Sequence, residues 1–99
     1  MTRLVYAPEA LSDVQDILEF LGQQDEKLCV KFELDYRRAI ERIRTLPLAW
    51  PKVGRSVRVK IVSKRFLYGI YFTVSRGIIY IGAVIQLKRS SVHWKRRFS

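Results

Sequence analysis

The sequence predicts an α+β domain in which a helical hairpin packs on a small antiparallel sheet, in the order β-α-α-β-β-β with a short C-terminal helix or tail. Two periodicities and the chain length carry this expectation. Apolar residues recur every three or four positions in the first half and every second position in the second half. The 99 residues suffice for one core and not for two, so 1–99 is read as a single domain. A chain of this size buries only about 60–65% of its unfolded surface, so its intrinsic stability is modest.

Thr2 to Tyr6 reads as a first strand. From Pro8 to about Gln24, Leu11, Val14, Leu18 and Leu21 fall on one helical stripe, with Ala10 and Ile17 beside them. Pro8 suits a first helical turn, and Glu9 sits near the positive end of the helix dipole. Asp13, Asp16 and Glu19 lie opposite the stripe and read as a solvated face with no assigned chemistry. Gly22 to Asp25 predicts a short break. Cys29, Phe32, Tyr36, Ala39, Ile40, Ile43 and Leu46 then mark a second helix that ends at Pro47. Residues 47–56 hold two prolines and a glycine and read as a loop. Val57, Val59 and Ile61 alternate with Arg58 and Lys60, which places both cations on one strand face. Leu67–Val74 and Ile78–Ile85 follow as strands around a Ser75-Arg76-Gly77 turn. Ser90–Phe98 carries Val92, Trp94, Arg96 and Arg97 in a terminal helix or turn. The hairpin is expected to cover one sheet face and leave the other to solvent or a ligand.

Charge is the most informative compositional feature. Nineteen Lys and Arg stand against nine Asp and Glu, for a net charge of +10. All nine acidic residues lie before position 42, and from Arg42 onward there are fourteen basic residues without one carboxylate side chain. The second half must therefore find negative charge outside its own sequence, on nucleic acid, on an acidic protein or on a membrane surface. No apolar run approaches about 18 residues and no signal segment is recognisable, so a soluble cytoplasmic domain without a membrane role is expected. The single Cys29 cannot form an internal disulfide.

Several chemistries are excluded by residue type. The single histidine, His93, and the single cysteine cannot build a zinc site, and no metal or other cofactor is expected. Two-metal nuclease chemistry needs carboxylates that the second half lacks. The Ser90-Ser91 pair beside His93 has no Gly-x-Ser-x-Gly elbow to mark a triad, and the glycines are too scattered for a phosphate loop. What remains is metal-independent chemistry by cations and phenols, or binding alone. Arg58, Lys60, Lys64, Arg65, Lys88 and Arg89 are candidates to clamp phosphates, and Tyr68, Tyr71 and Tyr80 offer stacking surfaces. RNA is cleaved without metal when one group deprotonates the 2′-hydroxyl, another protonates the leaving oxygen and cations hold the developing charge.

These elements and several strings resemble the RelE/ParE superfamily of toxins from bacterial type II toxin-antitoxin systems. The strings are Pro8-x-Ala10-x-x-Asp13, Leu46-Pro47, Arg65-Phe66-Leu67-Tyr68-Gly69-Ile70-Tyr71, and Ala83-Val84-Ile85-Gln86-Leu87-Lys88-Arg89 followed by Trp94 and Arg97. The resemblance implies a small basic toxin held inactive by a cognate acidic antitoxin in a hetero-oligomer, with operator DNA reached only through the antitoxin. It also implies one of two targets. ParE-like members poison DNA gyrase, and RelE-like members cleave messenger RNA in the ribosomal A site. The sequence is closer to the ParE branch, because positions that carry RelE-like catalysis fall at Gly69, Leu87 and His93. No catalytic residue is assigned on that reading; on the ribonuclease alternative the set is Arg58, Lys60, Arg89 and His93. The expected antitoxin-binding residues are Leu11, Val14, Leu18, Leu21, Phe32, Tyr36, Arg58 and Lys60. The expected target-binding residues are Arg65, Tyr68, Arg89, Trp94 and Arg97. An acidic antitoxin segment is expected to wrap the hairpin and to pair with an exposed sheet edge.

Overall fold

The computed structural model describes residues 3–89 and 91–98. The expected strand start at Thr2 and the Ser90 hydroxyl lie outside the described residues. The elements are β1 (Arg3–Tyr6), α1 (Pro8–Gln24), α2 (Glu26–Thr45), β2 (Val57–Ile61), β3 (Tyr68–Ser75), β4 (Ile78–Gln86) and α3 (Ser91–Arg97). The order is the expected one, with a short C-terminal helix.

The helical hairpin turns more sharply than its sequence suggests. Gly22 stays helical, and Asp25 alone separates α1 from α2. Its extended backbone ends the first helix, while its carboxylate accepts the Lys27 N–H at 2.9 Å and caps the second. The strands β2, β3 and β4 form the expected antiparallel meander. Arg76 and Gly77 both adopt positive φ, 51° and 75°, and make a tight hairpin turn between the Ser75 and Ile78 partners. The fourth strand departs from an all-antiparallel sheet. β1 joins β4 in parallel, Arg3 beside Ile78 and Tyr6 beside Ile81, so the sheet is mixed with order β1-β4-β3-β2. A helical hairpin follows β1 and returns the chain across the sheet, which lets β1 run in the same direction as the last strand.

The main core lies between the hairpin and the sheet. Phe32, Ile43, Ile70, Phe72, Ile79 and Ile81 are its largest fully buried side chains. Between the partners Tyr71–Ala83 and Phe72–Ile81, Gly82 is the extra residue of a β-bulge. The bulge resets the alternation, so Ile81 and Val84 face the hairpin while Ala83 turns to the opposite face.

That opposite face is not left to solvent, which corrects the sequence expectation. α3 folds back over it: Trp94 stacks on Tyr71 with ring centroids 5.7 Å apart, and Val57, Ala83, Ile85 and Phe98 complete a second apolar cluster. Phe98 lies so close to Gly82 that any side chain there would collide with its ring. The bulge glycine thus serves both the register and the seat of the C-terminal segment.

Two carboxylates of the first half tie the second half down, and the solvated-face reading of Asp13 is corrected accordingly. Asp13 Oδ2 accepts the Val84 backbone N–H at 2.9 Å, and Arg97 grips both Asp13 oxygens at 2.8 and 2.9 Å. Arg97 also donates to the Gly82 carbonyl at 3.1 Å. These contacts cover the β4 backbone where it runs on past the end of β1. On α2, Asp35 is buried and receives Ser63 Oγ at 2.8 Å and Arg65 through Nε at 2.8 Å and Nη2 at 3.1 Å.

The Arg65 hydrogen bond holds the Asp35 carboxyl below the usual carboxylate range, against the opposing effect of burial. A carboxyl depressed in the folded state stabilises it above the unfolded pKa and loses that contribution as pH falls through the folded value. The stability difference between the native chain and Asp35→Asn is therefore expected to be present at pH 6 and to shrink steadily below about pH 4. Urea titrations at several pH values check this; a constant difference down to pH 2 contradicts it.

Candidate functional site

A cleft of about 380 Å³ opens where α1, the end of β4 and α3 meet. Asp16, Ile17 and Phe20 line it from α1, Tyr68 and Gln86 from the sheet, and Arg89 and His93 from the C-terminal segment. Asp13 and Arg97 border it as a closed ion pair, so the charges it presents are those of Arg89 and Asp16. Arg89 is exposed at the turn after β4, where its backbone N–H bonds the Gln86 carbonyl at 3.1 Å. Phe20 is 50% exposed at the rim, a large apolar surface beside a free guanidinium. The cleft suits a protein surface that offers an apolar side chain next to a carboxylate.

A second cationic group gathers around Trp50, in the loop before β2. Lys60 Nζ lies 4.5 Å and the Arg42 guanidinium 5.5 Å from the indole centroid. Arg58 holds the loop backbone, donating from Nη1 to the Trp50 carbonyl at 2.8 Å and to the Leu48 carbonyl at 3.2 Å. Burial and the neighbouring Arg42 charge hold the Lys60 ammonium below the usual lysine range. Lys60 Nζ also donates to the Ile61 carbonyl at 3.1 Å. Both side chains point to the hairpin side of the sheet, since Arg58 and Lys60 stand opposite the core residues Phe72 and Ile70.

The residues of the ribonuclease alternative therefore divide. Arg89 and His93 share the cleft at the end of β4, whereas Arg58 and Lys60 sit on β2, with β3 between them. Two strand spacings amount to about 10 Å. Among the target-binding candidates, Tyr68 and Arg89 line the cleft, Arg97 is committed to Asp13, and Arg65 is committed to Asp35 on another side of the hairpin. Tyr68 and Trp94 are buried, and their principal contacts are Phe32 and Tyr71.

The antitoxin-binding candidates of the hairpin are mostly core. Leu21 and Phe32 are buried; Val14, Leu18 and Tyr36 are half-buried against the same cluster. These positions pack within the chain's own core, because a stripe regular enough to reveal a helix is regular enough to be covered by its own sheet. Leu11 alone of that set remains open, at 56% exposure, and the apolar groups that the hairpin shows to solvent are instead Phe20, Val30 and Leu34. Trp50 and Arg42 escaped sequence reasoning because nothing local marks their meeting across the loop. Asp13 carried a signal, its place in the Pro8-x-Ala10-x-x-Asp13 string.

No protein-family model matches the chain. No curated protein matches it either. Among solved structures, the chain shares its fold with a chain of the chromosomal ParDE TA system from P. aeruginosa, at a TM-score of 0.69 and 18% identity. The alignment covers 89% of this chain and 98% of that one. At that identity the likeness establishes the common fold.

Proposed function

We propose that the chain is the toxin of a type II toxin-antitoxin system, neutralised by a cognate acidic antitoxin, and that it arrests growth by binding and poisoning DNA gyrase. The fold shared with a chain of a ParDE system carries this reading. The charge distribution supports it, since a half-chain with fourteen cations and no carboxylate side chain offers an acidic partner a broad surface. The cleft supports binding over catalysis: Arg89 and His93 stand there without Arg58 and Lys60, whose side chains hold the Trp50 loop and the Ile61 carbonyl. No membrane-spanning helix is long or apolar enough among the described residues to suggest a different setting.

Expression without the antitoxin is expected to slow growth, and the purified protein to inhibit supercoiling by gyrase. Arg89→Glu is expected to weaken that inhibition by about tenfold or more while leaving Tm nearly unchanged, as for an exposed interface charge. Unaltered supercoiling at saturating protein overturns the gyrase reading. Primer extension of ribosome-bound message that finds A-site cuts, abolished by Arg58→Ala, establishes the messenger-RNA endonuclease in its place.

A further inference from the structure

The segment that leads into β2 builds a second surface, on the side of the sheet away from the helical hairpin. Val53 N–H donates to the Val57 carbonyl at 2.8 Å and Val59 N–H to the Pro51 carbonyl at 3.0 Å, with Lys52 paired to Arg58 between them. Residues 51–59 thus form a miniature β-hairpin with Gly54-Arg55-Ser56 at its tip. The tip is seated on α3. A Cβ on Gly54 would come within 2.9 Å of the Trp94 ring, so the approach depends on the absence of a side chain there. Between the tip and the helix runs an open groove of about 410 Å³, lined by Arg55, Ser56, Val57, Trp94, Lys95 and Phe98.

This groove presents charge and hydrogen-bond donors. Arg55, Ser56 and Lys95 are exposed, and no carboxylate lines it. Among the described residues, the side chains of Arg55 and Ser56 and the N–H groups of Gly54, Arg55 and Ser56 have no hydrogen-bond or ion-pair partner in the chain. The Lys95 ammonium meets only the Trp94 ring, 5.9 Å from its centroid. The apolar lining is already engaged: Val57 and Trp94 are buried, and Phe98 is half-buried in the second apolar cluster. A protein partner gains little from such a surface, because interface affinity rests on apolar anchors at the centre. A single nucleic-acid strand lacks the exposed ring on which its bases would stack. A duplex backbone needs only cations and N–H or O–H donors. The cleft at Arg89 is the opposite case, with Phe20 half exposed beside its charges.

We infer that the Gly54-Arg55-Ser56 tip and Lys95 form a contact surface for the phosphate backbone of duplex DNA. The Arg55 guanidinium and the Lys95 ammonium take phosphate oxygens from the two walls of the groove, and the tip amides and the Ser56 hydroxyl supply neutral donors. The contact positions the chain on DNA and reads no bases. It is made by this chain's own residues, so it stands independently of the toxin-antitoxin reading.

The test is fluorescence anisotropy of a short labelled DNA duplex titrated with the full chain at several salt concentrations. The double variant Arg55→Gln, Lys95→Gln is expected to bind about tenfold more weakly at low salt, and its slope of log affinity against log salt to fall by about 2. Lys31→Gln with Arg37→Gln removes the same charge from the exposed surface of α2 and is expected to leave both quantities nearly unchanged. All four side chains are exposed, so Tm is expected to hold in both variants. Equal losses in the two variants mean that net charge alone attracts DNA, and they overturn the site. A native chain that leaves the duplex free at physiological salt overturns it as well. Single-stranded RNA or polyglutamate that displaces the labelled duplex as effectively as unlabelled duplex does overturns the duplex as the occupant.

Discussion

Phe32→Ala is expected to lower the unfolding free energy by about 3–5 kcal/mol, the range for truncating a fully buried phenylalanine. Phe32 has no exposed surface and is the hub of an aromatic group, 5.8 Å from Tyr36, 5.4 Å from Phe66 and 5.7 Å from Tyr68 between ring centroids. It joins α2 to the entry of β3 through Phe66 and Tyr68, so the cavity cannot be filled by moving one side chain. Against a total of roughly 5–15 kcal/mol for a small domain, the variant is expected to be partly unfolded at 25 °C. Phe32→Leu keeps most of the volume and is expected to cost less than about 2 kcal/mol. Urea unfolding monitored by circular dichroism measures both. A loss under about 1 kcal/mol for the alanine variant contradicts the central place given to this ring.

The second large effect concerns the clamp between Asp13 and Arg97. The two side chains are 14% and 28% exposed, so the pair lies between a surface bridge of little worth and a buried one whose rupture costs about 3–5 kcal/mol. Arg97→Ala is expected to cost about 2 kcal/mol. Asp13→Ala is expected to cost more, because the Val84 N–H then loses its acceptor as well. A double-mutant cycle is expected to give a coupling of about 1–3 kcal/mol, as for groups in one network. Both variants loosen α3, so Trp94 emission in a Trp50→Phe background is expected to shift toward that of a solvated indole. Coupling within about 0.5 kcal/mol of zero, or an unshifted Trp94, means that α3 is held by its aromatic contacts alone.

The legible and illegible parts of this fold divide by distance along the chain. Helical and strand periods are properties of neighbouring residues, which is why Pro8–Gln24, the meander and the Arg76-Gly77 turn match their sequence patterns closely. The parallel seat of β1, the bulge at Gly82 and the folding back of α3 depend on residues brought together from opposite ends. Asp13 illustrates the difficulty: by period it belongs to a solvated face, and only partners 71 and 84 positions away make it structural. The site divides in the same manner. Arg89 and His93, near neighbours in sequence, do share a cleft, whereas the pairing of either with Arg58 or Lys60 required a tertiary arrangement that the sheet order does not provide. Trp94 reads in the sequence as a target-binding residue and lies buried against Tyr71; an aromatic residue in a basic terminal segment looks the same whether it awaits a target or covers a sheet.

The parallel seat of β1 also has a consequence for biosynthesis. β1 and α1 leave the ribosome before the other strands, yet the strand that β1 joins ends at Gln86 and the guanidinium that Asp13 holds belongs to Arg97. Contacts of such sequence separation form late and slow the folding of the whole domain. Until β4 has emerged, β1 has no strand to join and the hairpin stripe is only partly covered, and until α3 follows, the cleft lacks one of its walls. The nascent chain therefore exposes core surface first and completes the cleft after the sheet has closed.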